Sequence, residues 1–464
     1  MPPSPDKSAH EQHDERRHVK VGPISGFPEL LPAHQRALDA LIEKIRTTYE
    51  RCGFTPIETP AVERADVLTA KGGVQRQIYG LTRPAVDRAD ADAPEIALRF
   101  DLTVPTARFV VQHEAQLQFP LRRYQHQRVW RGERAQRGRF REFAQFDIDI
   151  IGRGGLDDLH DAEVIAVMAQ ALAAIGLADA RIHVSHRRVL TALTEAAGLD
   201  GADGMLATID RAGRAGVEAV LADLARQEVP EPLVTSVGRL LACTTLEEVR
   251  GVLEDAGASA DGVDALQRIV ESAVVLGTPR ERMVLDFSIA RGLDYYTGLV
   301  VETFVPGHER WGSICSGGRY DNLASHFGSR TFPGVGVSIG VTRLFDLLVK
   351  ARRVEIGAAT PAVVLVCTPE RDRYLTSYLD LARRLRAAGH DTELFLQRRP
   401  LRDQLTTAAR KGIPLVVIAG ERELAEEAVG LKDMRDGVQR LVPIDELPER
   451  VAELLDPASV EVAA

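Results

Sequence analysis

Residues 124–152 read Tyr-Gln-His-Gln-Arg-Val-Trp-Arg-Gly-Glu-Arg-Ala-Gln-Arg-Gly-Arg-Phe-Arg-Glu-Phe-Ala-Gln-Phe-Asp-Ile-Asp-Ile-Ile-Gly. Arginine recurs at 131, 134, 137, 139 and 141, around Gly132 and Gly138. From Ala144 to Ile150 polar and apolar residues then alternate strictly. Gln145, Asp147 and Asp149 point one way, and Ala144, Phe146, Ile148 and Ile150 the other. A period of two predicts a strand with one buried face, and the glycine-flanked arginine run predicts the tip of a hairpin. The stretch therefore couples a cationic loop to a strand with carboxylates on an open face. It can hold a polyanion at one end and a cationic small molecule at the other.

Outward from this stretch, 464 residues are too many for a single core, so two or three domains are expected. Hydrophobic content of 45% and charged content of 27% place the chain among globular proteins. A net charge of −9 argues against a general nucleic-acid coat, though the arginine loop is a local basic patch. The four cysteines (Cys52, Cys243, Cys315, Cys367) are scattered and form no Cys-x-x-Cys pair, which fits a reducing compartment and a cytoplasmic protein. No run approaches the roughly 18 apolar residues of a membrane span. Residues 1–20 are polar and are expected to form a disordered tail, in which His10, His13 and His18 are solvated rather than metal-binding.

A helix is predicted over 34–52, followed by a proline-bounded extended segment, 53–60, suited to a sheet edge. Residues 68–79 read as a polar connection. A strand over 96–99 turns into a helix of about eleven residues, near the average length, with Thr103 placed as its cap and Pro105 in its first turn. For Asp101 and Thr103, capping alone and a substrate role stay equally open. Further helix is predicted over 161–175 and a strand over 181–185. Residues 189–280, rich in alanine, leucine and charge, read as an inserted helical subdomain. Residues 283–290 and 299–305 read as a hairpin whose corner is Arg291-Gly-Leu-Asp-Tyr-Tyr-Thr-Gly298. Then come Ser316-Gly-Gly-Arg-Tyr-Asp321 and the glycine-rich strand 334–340 opening a helix. The last motif is not Gly-x-Gly-x-x-Gly, so a dinucleotide fold is not expected. After a linker over 350–360, alternating strands and helices predict a compact α/β domain.

These motifs resemble those of class II aminoacyl-tRNA synthetases, and of the histidyl-tRNA synthetase family in particular. Arg131-Gly-Glu133 with Arg141-Glu-Phe143 is similar to the second class signature, Gly336 to Arg343 to the third, and Gly53 to Pro60 to the first. The stretches 291–298 and 316–321 resemble the two histidine-specific signatures. The resemblance implies an α+β catalytic domain over 21–350, an antiparallel sheet flanked by helices, with the helical insertion at about 189–280. It also implies a C-terminal α/β anticodon-binding domain over 361–464, and a homodimer. The implied reaction is activation of L-histidine by ATP, with Mg2+, to histidyl-adenylate, then transfer to the 3′ end of tRNA(His).

By the same resemblance, Arg131 and Arg291 are the catalytic arginines at the α-phosphate. Arg131, Glu133, Arg139, Phe143 and Arg343 would bind ATP, with Phe143 and Arg343 on either face of the adenine. Asp101, Thr103 and Gln145 would hold the α-amino group. Asp149 and Tyr296 would read the imidazole, with Arg291, Tyr295 and Tyr320 lining the pocket. Gln136 would touch the tRNA acceptor end. No protein motif supplies a metal site. Asp147 and Asp149 repel one another on one strand face, a cost that a cation or donor-rich ligand between them relieves. Thr342 stands where glutamate is usual in the family. Two readings compete with the enzyme: a catalytically silent regulatory or tRNA-sensing paralogue, and an enzyme passing activated histidine to a different acceptor. The paralogues usually lack the anticodon domain and the intact 291–298 signature.

Overall fold

The computed structural model describes residues 21–70, 75–82, 94–199, 203–289 and 296–456. The expected tail, Arg291 and Tyr295 lie outside these residues. In chain order the strands before the linker are β1 (Thr55–Pro56), β2 (Val62–Arg64), β3 (Tyr79–Leu81), β4 (Ile96–Leu98), β5 (Leu121–Trp130), β6 (Glu142–Ile151), β7 (Arg181–His186), β8 (Met283–Leu285), β9 (Leu299–Phe304), β10 (Cys315–Tyr320) and β11 (Gly334–Gly340). Eight form one sheet in the order β1-β5-β6-β11-β10-β9-β7-β8. Its pairings are antiparallel except at the two edges, β1 with β5 and β7 with β8. β2, β4 and β3 form a smaller sheet beside it.

β5 and β6 are the predicted hairpin, in register from Leu121 opposite Ile151 to Trp130 opposite Glu142. The alternation of β6 sets its faces. Phe146, Ile148 and Ile150 are fully buried in a core shared with the helices Pro32–Arg51 and Leu159–Ala174. Tyr49 of the first helix stands edge-on to Phe146, centroids 5.0 Å apart, an arrangement aromatic quadrupoles favour. Each such side chain contributes about 1.5–3 kcal/mol through burial. The other face is not the open one the alternation suggested: Gln145, Asp147 and Asp149 are buried as well. Period two separates the faces of a strand, but what covers each face is a tertiary matter.

Several expectations need correction. Residues 283–290 and 299–305 do not pair as a hairpin, because β7 lies between β8 and β9. The polar connection over 68–79 contains part of a short helix, Ala65–Thr69, and begins β3. Thr103 does not cap the helix Thr103–His113; Asp101 Oδ1 accepts the Val104 N–H at 3.1 Å instead. The helical insertion carries no strand among its described residues, as expected. Its Leu193, Leu266 and Ile269 join the same continuous core as the sheet.

Beyond the linker, β12 (Val364–Val366), β13 (Thr392–Leu394), β14 (Leu415–Ile418), β15 (Ala428–Asp433) and β16 (Gln439–Pro443) form a second sheet in the order β13-β12-β14-β15-β16. The first three are parallel and the last two antiparallel. They bury a core of their own around Val364, Tyr378, Leu415 and Leu431. β15 and β16 were not foreseen, because Gly430, Lys432 and Gln439 blur their alternation.

One buried ion pair ties the end of β10 to the helix Leu159–Ala174. Arg319 Nη2 lies 2.8 Å from Asp161 Oδ1, both groups nearly inaccessible. The guanidinium also donates to the carbonyls of Leu156 and Asp157 at 3.2 and 3.0 Å. Breaking a buried pair by removing one partner leaves an uncompensated charge. Asp161→Ala is therefore expected to lower stability by about 3–5 kcal/mol, read as a drop in the urea midpoint.

Candidate active site

The polar face of β6 and the strands beside it form the floor of the site. Asp149, on β6, is ion-paired with the fully buried Arg123 of β5. It also accepts a hydrogen bond from the Tyr320 hydroxyl at 2.6 Å. Room for this cluster comes from glycines on the neighbouring strands. A Cβ on Gly336, directly opposite Asp149, would collide with its carboxylate. One on Gly334 would strike the Tyr320 ring, and one on Gly318 would press on Tyr296. The glycines of β10 and β11 thus make room for bulky polar side chains. Tyr296 is held from behind, its carbonyl accepting from Arg187 Nη1 at 2.9 Å.

Gln145 Nε2 donates to Ser338 Oγ at 2.6 Å, and Ser338 in turn donates to the Asp147 carboxylate. Among the described residues, Gln145 Oε1 and Asp147 Oδ1 are buried without a hydrogen-bond partner. Unpaired buried acceptors of this kind are costly, and a donor-rich ligand would relieve them. The carboxyls of this cluster are displaced upward. Burial pushes Asp101 to about 6 and Asp147 to about 7, opposed in part by backbone and arginine contacts. Asp149 is raised by burial against the pull of Arg123 and Tyr320.

At the hairpin end, a cavity of about 300 Å³ is lined by Arg131, Glu133, Arg139, Phe143, Gln145 and Arg343, among others. Arg131 donates from Nε to the Phe100 carbonyl at 3.0 Å and lays its guanidinium over the Phe143 ring, 5.1 Å from the centroid. Arg343 is anchored by the carbonyls of Gly138 (2.6 Å) and Ser313 (2.7 Å). Arg139 lies 3.8 Å from Glu133, a loose pairing that is weak at this exposure. The loop tip is closed by backbone bonds between Gln136 and Arg139 at 2.9 and 3.2 Å. Gln136, Arg139 and Arg343 also border a larger hollow of about 1010 Å³, with His183, Glu302 and Trp311 on its walls.

The structure thus gathers the sequence-derived residues into two neighbouring groups: Arg131, Glu133, Arg139, Phe143 and Arg343 around the cavity, and Asp101, Gln145, Asp149, Tyr296 and Tyr320 on or beside the floor. Thr103 follows Asp101 at the start of its helix, and Arg291 and Tyr295 are outside the described residues. Sequence reasoning missed Arg123 and Ser338; it marked the glycine-rich strand but not that its glycines face Asp149 and Tyr320. The signal for Arg123 was present: Arg123, Gln125 and Gln127 alternate along β5 as Gln145, Asp147 and Asp149 do along β6. Thr342, in place of the family's usual glutamate, accepts the Ala144 N–H at 2.9 Å and so fastens β6 to the helix Val341–Lys350.

The sequence model of the family described as histidyl-tRNA synthetase matches residues 26–344, and that of the anticodon binding domain matches 362–454. A histidine–tRNA ligase of Xanthomonas axonopodis pv. citri is 42% identical, covering 96% of this chain and 98% of its own length. One from Stenotrophomonas maltophilia is 41% identical, covering 90% and 94%. The crystal structure of histidyl-tRNA synthetase from Nostoc sp. PCC 7120 superposes with a TM-score of 0.83 at 36% identity, over 94% of this chain and all of the other.

The upward displacement of Asp101 makes a prediction with a definite sign. A carboxyl that titrates near 6 folded and 3.8 unfolded binds more protons when folded. Its contribution favours the fold at low pH and is lost as pH rises from about 4 to 6. Asp101→Asn keeps the capping oxygen and removes the titration. Its thermal midpoint should fall less between pH 4.5 and 7 than the parent's, and equal slopes in a scanning calorimeter would contradict the assignment.

Proposed function

The chain belongs to the histidyl-tRNA synthetase family, and from its fold and sites we propose how its residues divide that family's work. The protein is a histidine–tRNA ligase: it activates histidine with ATP to histidyl-adenylate and then charges tRNA(His). The domains are read as a catalytic unit over 21–350, with its helical insertion at about 189–280, and an anticodon-binding unit from 361 onward.

The observation that carries the assignment of the amino-acid site is Asp149, buried on the sheet face with Arg123 and Tyr320 orienting its carboxylate. An acceptor fixed in this way favours a ring N–H and rejects side chains that leave it unpaired. Asp149 and Tyr296 are assigned to the imidazole, with Tyr320 and Tyr295 lining its walls. Asp101, Thr103 and the free Oε1 of Gln145 are assigned to the α-ammonium. ATP is assigned to the adjacent cavity, with Glu133 at the adenine edge and Phe143 and Arg343 on the ring's two faces. Arg131 occupies one face of Phe143, so ATP would displace its guanidinium towards the α-phosphate. Arg139 would likewise exchange Glu133 for the outer phosphates.

The first step brings two anions together, the histidine carboxylate and the α-phosphate. Catalysis is therefore chiefly positioning and charge neutralisation, for which Arg131 and Arg291 are proposed. A fixed guanidinium fork suits phosphate oxygens. Magnesium, a hard cation suited to oxygen ligands, would travel on the ATP phosphates and supply further charge neutralisation. The Thr342 hydroxyl is committed to the Ala144 amide. Gln136, at the loop tip bordering the larger hollow, is proposed to meet the tRNA acceptor end.

We also infer a homodimer, supported by the exposed Val21, Ile24, Leu30 and Leu31 ahead of the first helix, and action in the cytoplasm. Among the described residues no helix is long and apolar enough to cross a membrane.

Histidine-dependent exchange of pyrophosphate into ATP, followed by charging of tRNA(His), tests the assignment. Asp149→Asn is expected to raise the histidine KM by roughly 100-fold or more, with the ATP KM within about twofold. Arg131→Ala should lower kcat for exchange by about 100- to 1,000-fold. Unchanged histidine KM in the first variant would remove Asp149 from the site.

A further inference from the structure

Asp147 is left without a role by the assignments above, although it lies between two residues that have one. It sits on the same face of β6 as Gln145 and Asp149, with Gln125 opposite on β5 and Ser338 opposite on β11. A strand advances about 3.3 Å per residue. Asp147 is therefore midway between the amide assigned to the amino group and the carboxylate assigned to the ring. It is 3% exposed. Ser338 links it to Gln145, and its Oδ1 has no hydrogen-bond partner among the described residues.

Charges of both signs face Asp147. Asp149 adjoins it on β6, and Asp101 approaches from the start of the helix Thr103–His113. Among the described residues, Arg123 of β5 and Arg99 are the buried cations that act on it; Arg123 is paired with Asp149, and its Nε has no hydrogen-bond partner. Arg99, after β4, acts from farther off and spends its donors on Thr59, Pro60, Gln127 and Arg128. Tyr49 and Cys315, whose ionisation burial suppresses, face it as neutral groups. Among the described residues, no guanidinium donates a hydrogen bond to Asp147 Oδ1, which is left as a buried acceptor beside two other carboxylates.

We infer that Asp147 is a further substrate-binding residue of the amino-acid pocket: its free oxygen is the counter-charge for the ammonium end of histidine. The inference rests on the reading of the pocket given above. Burial holds Asp147 at about 7 in the empty pocket, so near neutral pH it carries a proton part of the time. A cationic ligand then binds most tightly above that pH and weakens as pH falls through it.

The test is the histidine KM in pyrophosphate exchange between pH 6 and 8.5, for the parent and for Asp147→Asn. Free histidine titrates identically in both series, so the difference belongs to Asp147. The variant should show a histidine KM raised about tenfold at pH 8, a flatter rise towards pH 6, and an unchanged ATP KM. An unaltered KM and slope, or equal rises for histidine and ATP, would overturn the inference. Ser338→Ala provides a second arm that leaves the carboxylate in place. Losing a donor to the ionised form moves its titration upward, so the histidine profile should shift to higher pH, and an unshifted profile also overturns it. Asp149→Asn separates the two levels: if it too leaves the histidine KM unmoved, the pocket assignment itself fails, whereas a rise confined to Asp149→Asn defeats only the role of Asp147.

Discussion

A row of carboxylates can be buried in a β-sheet only where something opposes its charge and something makes room for it. Both conditions are met on β6. Arg123, wholly enclosed, faces Asp149 across the hairpin, and glycines on β10 and β11 leave the space that Asp149, Tyr320 and Tyr296 occupy. Desolvation of charge costs several kcal/mol per ion even after relaxation. The cost is only partly offset, as the raised Asp101, Asp147 and Asp149 indicate. A cationic, donor-rich ligand would lower the energy of an arrangement that is otherwise unfavourable.

Such a site needs a rigid support, which the rest of the catalytic unit supplies. Behind β6, Phe146, Ile148 and Ile150 lock the strand into a core that runs without a break from the first helix to the helical insertion. Arg319 clamps β10 to the helix beneath it through Asp161. Thr342 fastens the other end of β6 to the helix after β11. The polar face can hold unfavourable charges because its apolar face cannot shift without opening this core.

The arginine loop follows the opposite principle. Its guanidinium groups rest on the protein's own partners: Arg131 on Phe143, Arg139 near Glu133, Arg343 on two carbonyls. Of these, Arg343 is the most firmly oriented, while the exposed Arg139–Glu133 pairing is the most easily exchanged. The floor of the proposed amino-acid site is built in advance, whereas the proposed nucleotide contacts would be completed by the ligand.

The sequence by itself determined the elements whose patterns are local. Strict alternation marked β6, glycine-flanked arginines marked the hairpin tip, and the ordered motifs from Gly53 to Arg343 marked the family. Tertiary structure alone decided what covers each face: the carboxylates are buried rather than open, β7 parts two strands that looked like a hairpin, and Asp101, not Thr103, caps its helix. It also made Arg123 the counter-ion and set Gly336 opposite Asp149. The physical reason is the range of the forces. Periodicity reflects backbone geometry over a few residues, whereas burial, ion pairing and strand order depend on chain segments tens to hundreds of residues away.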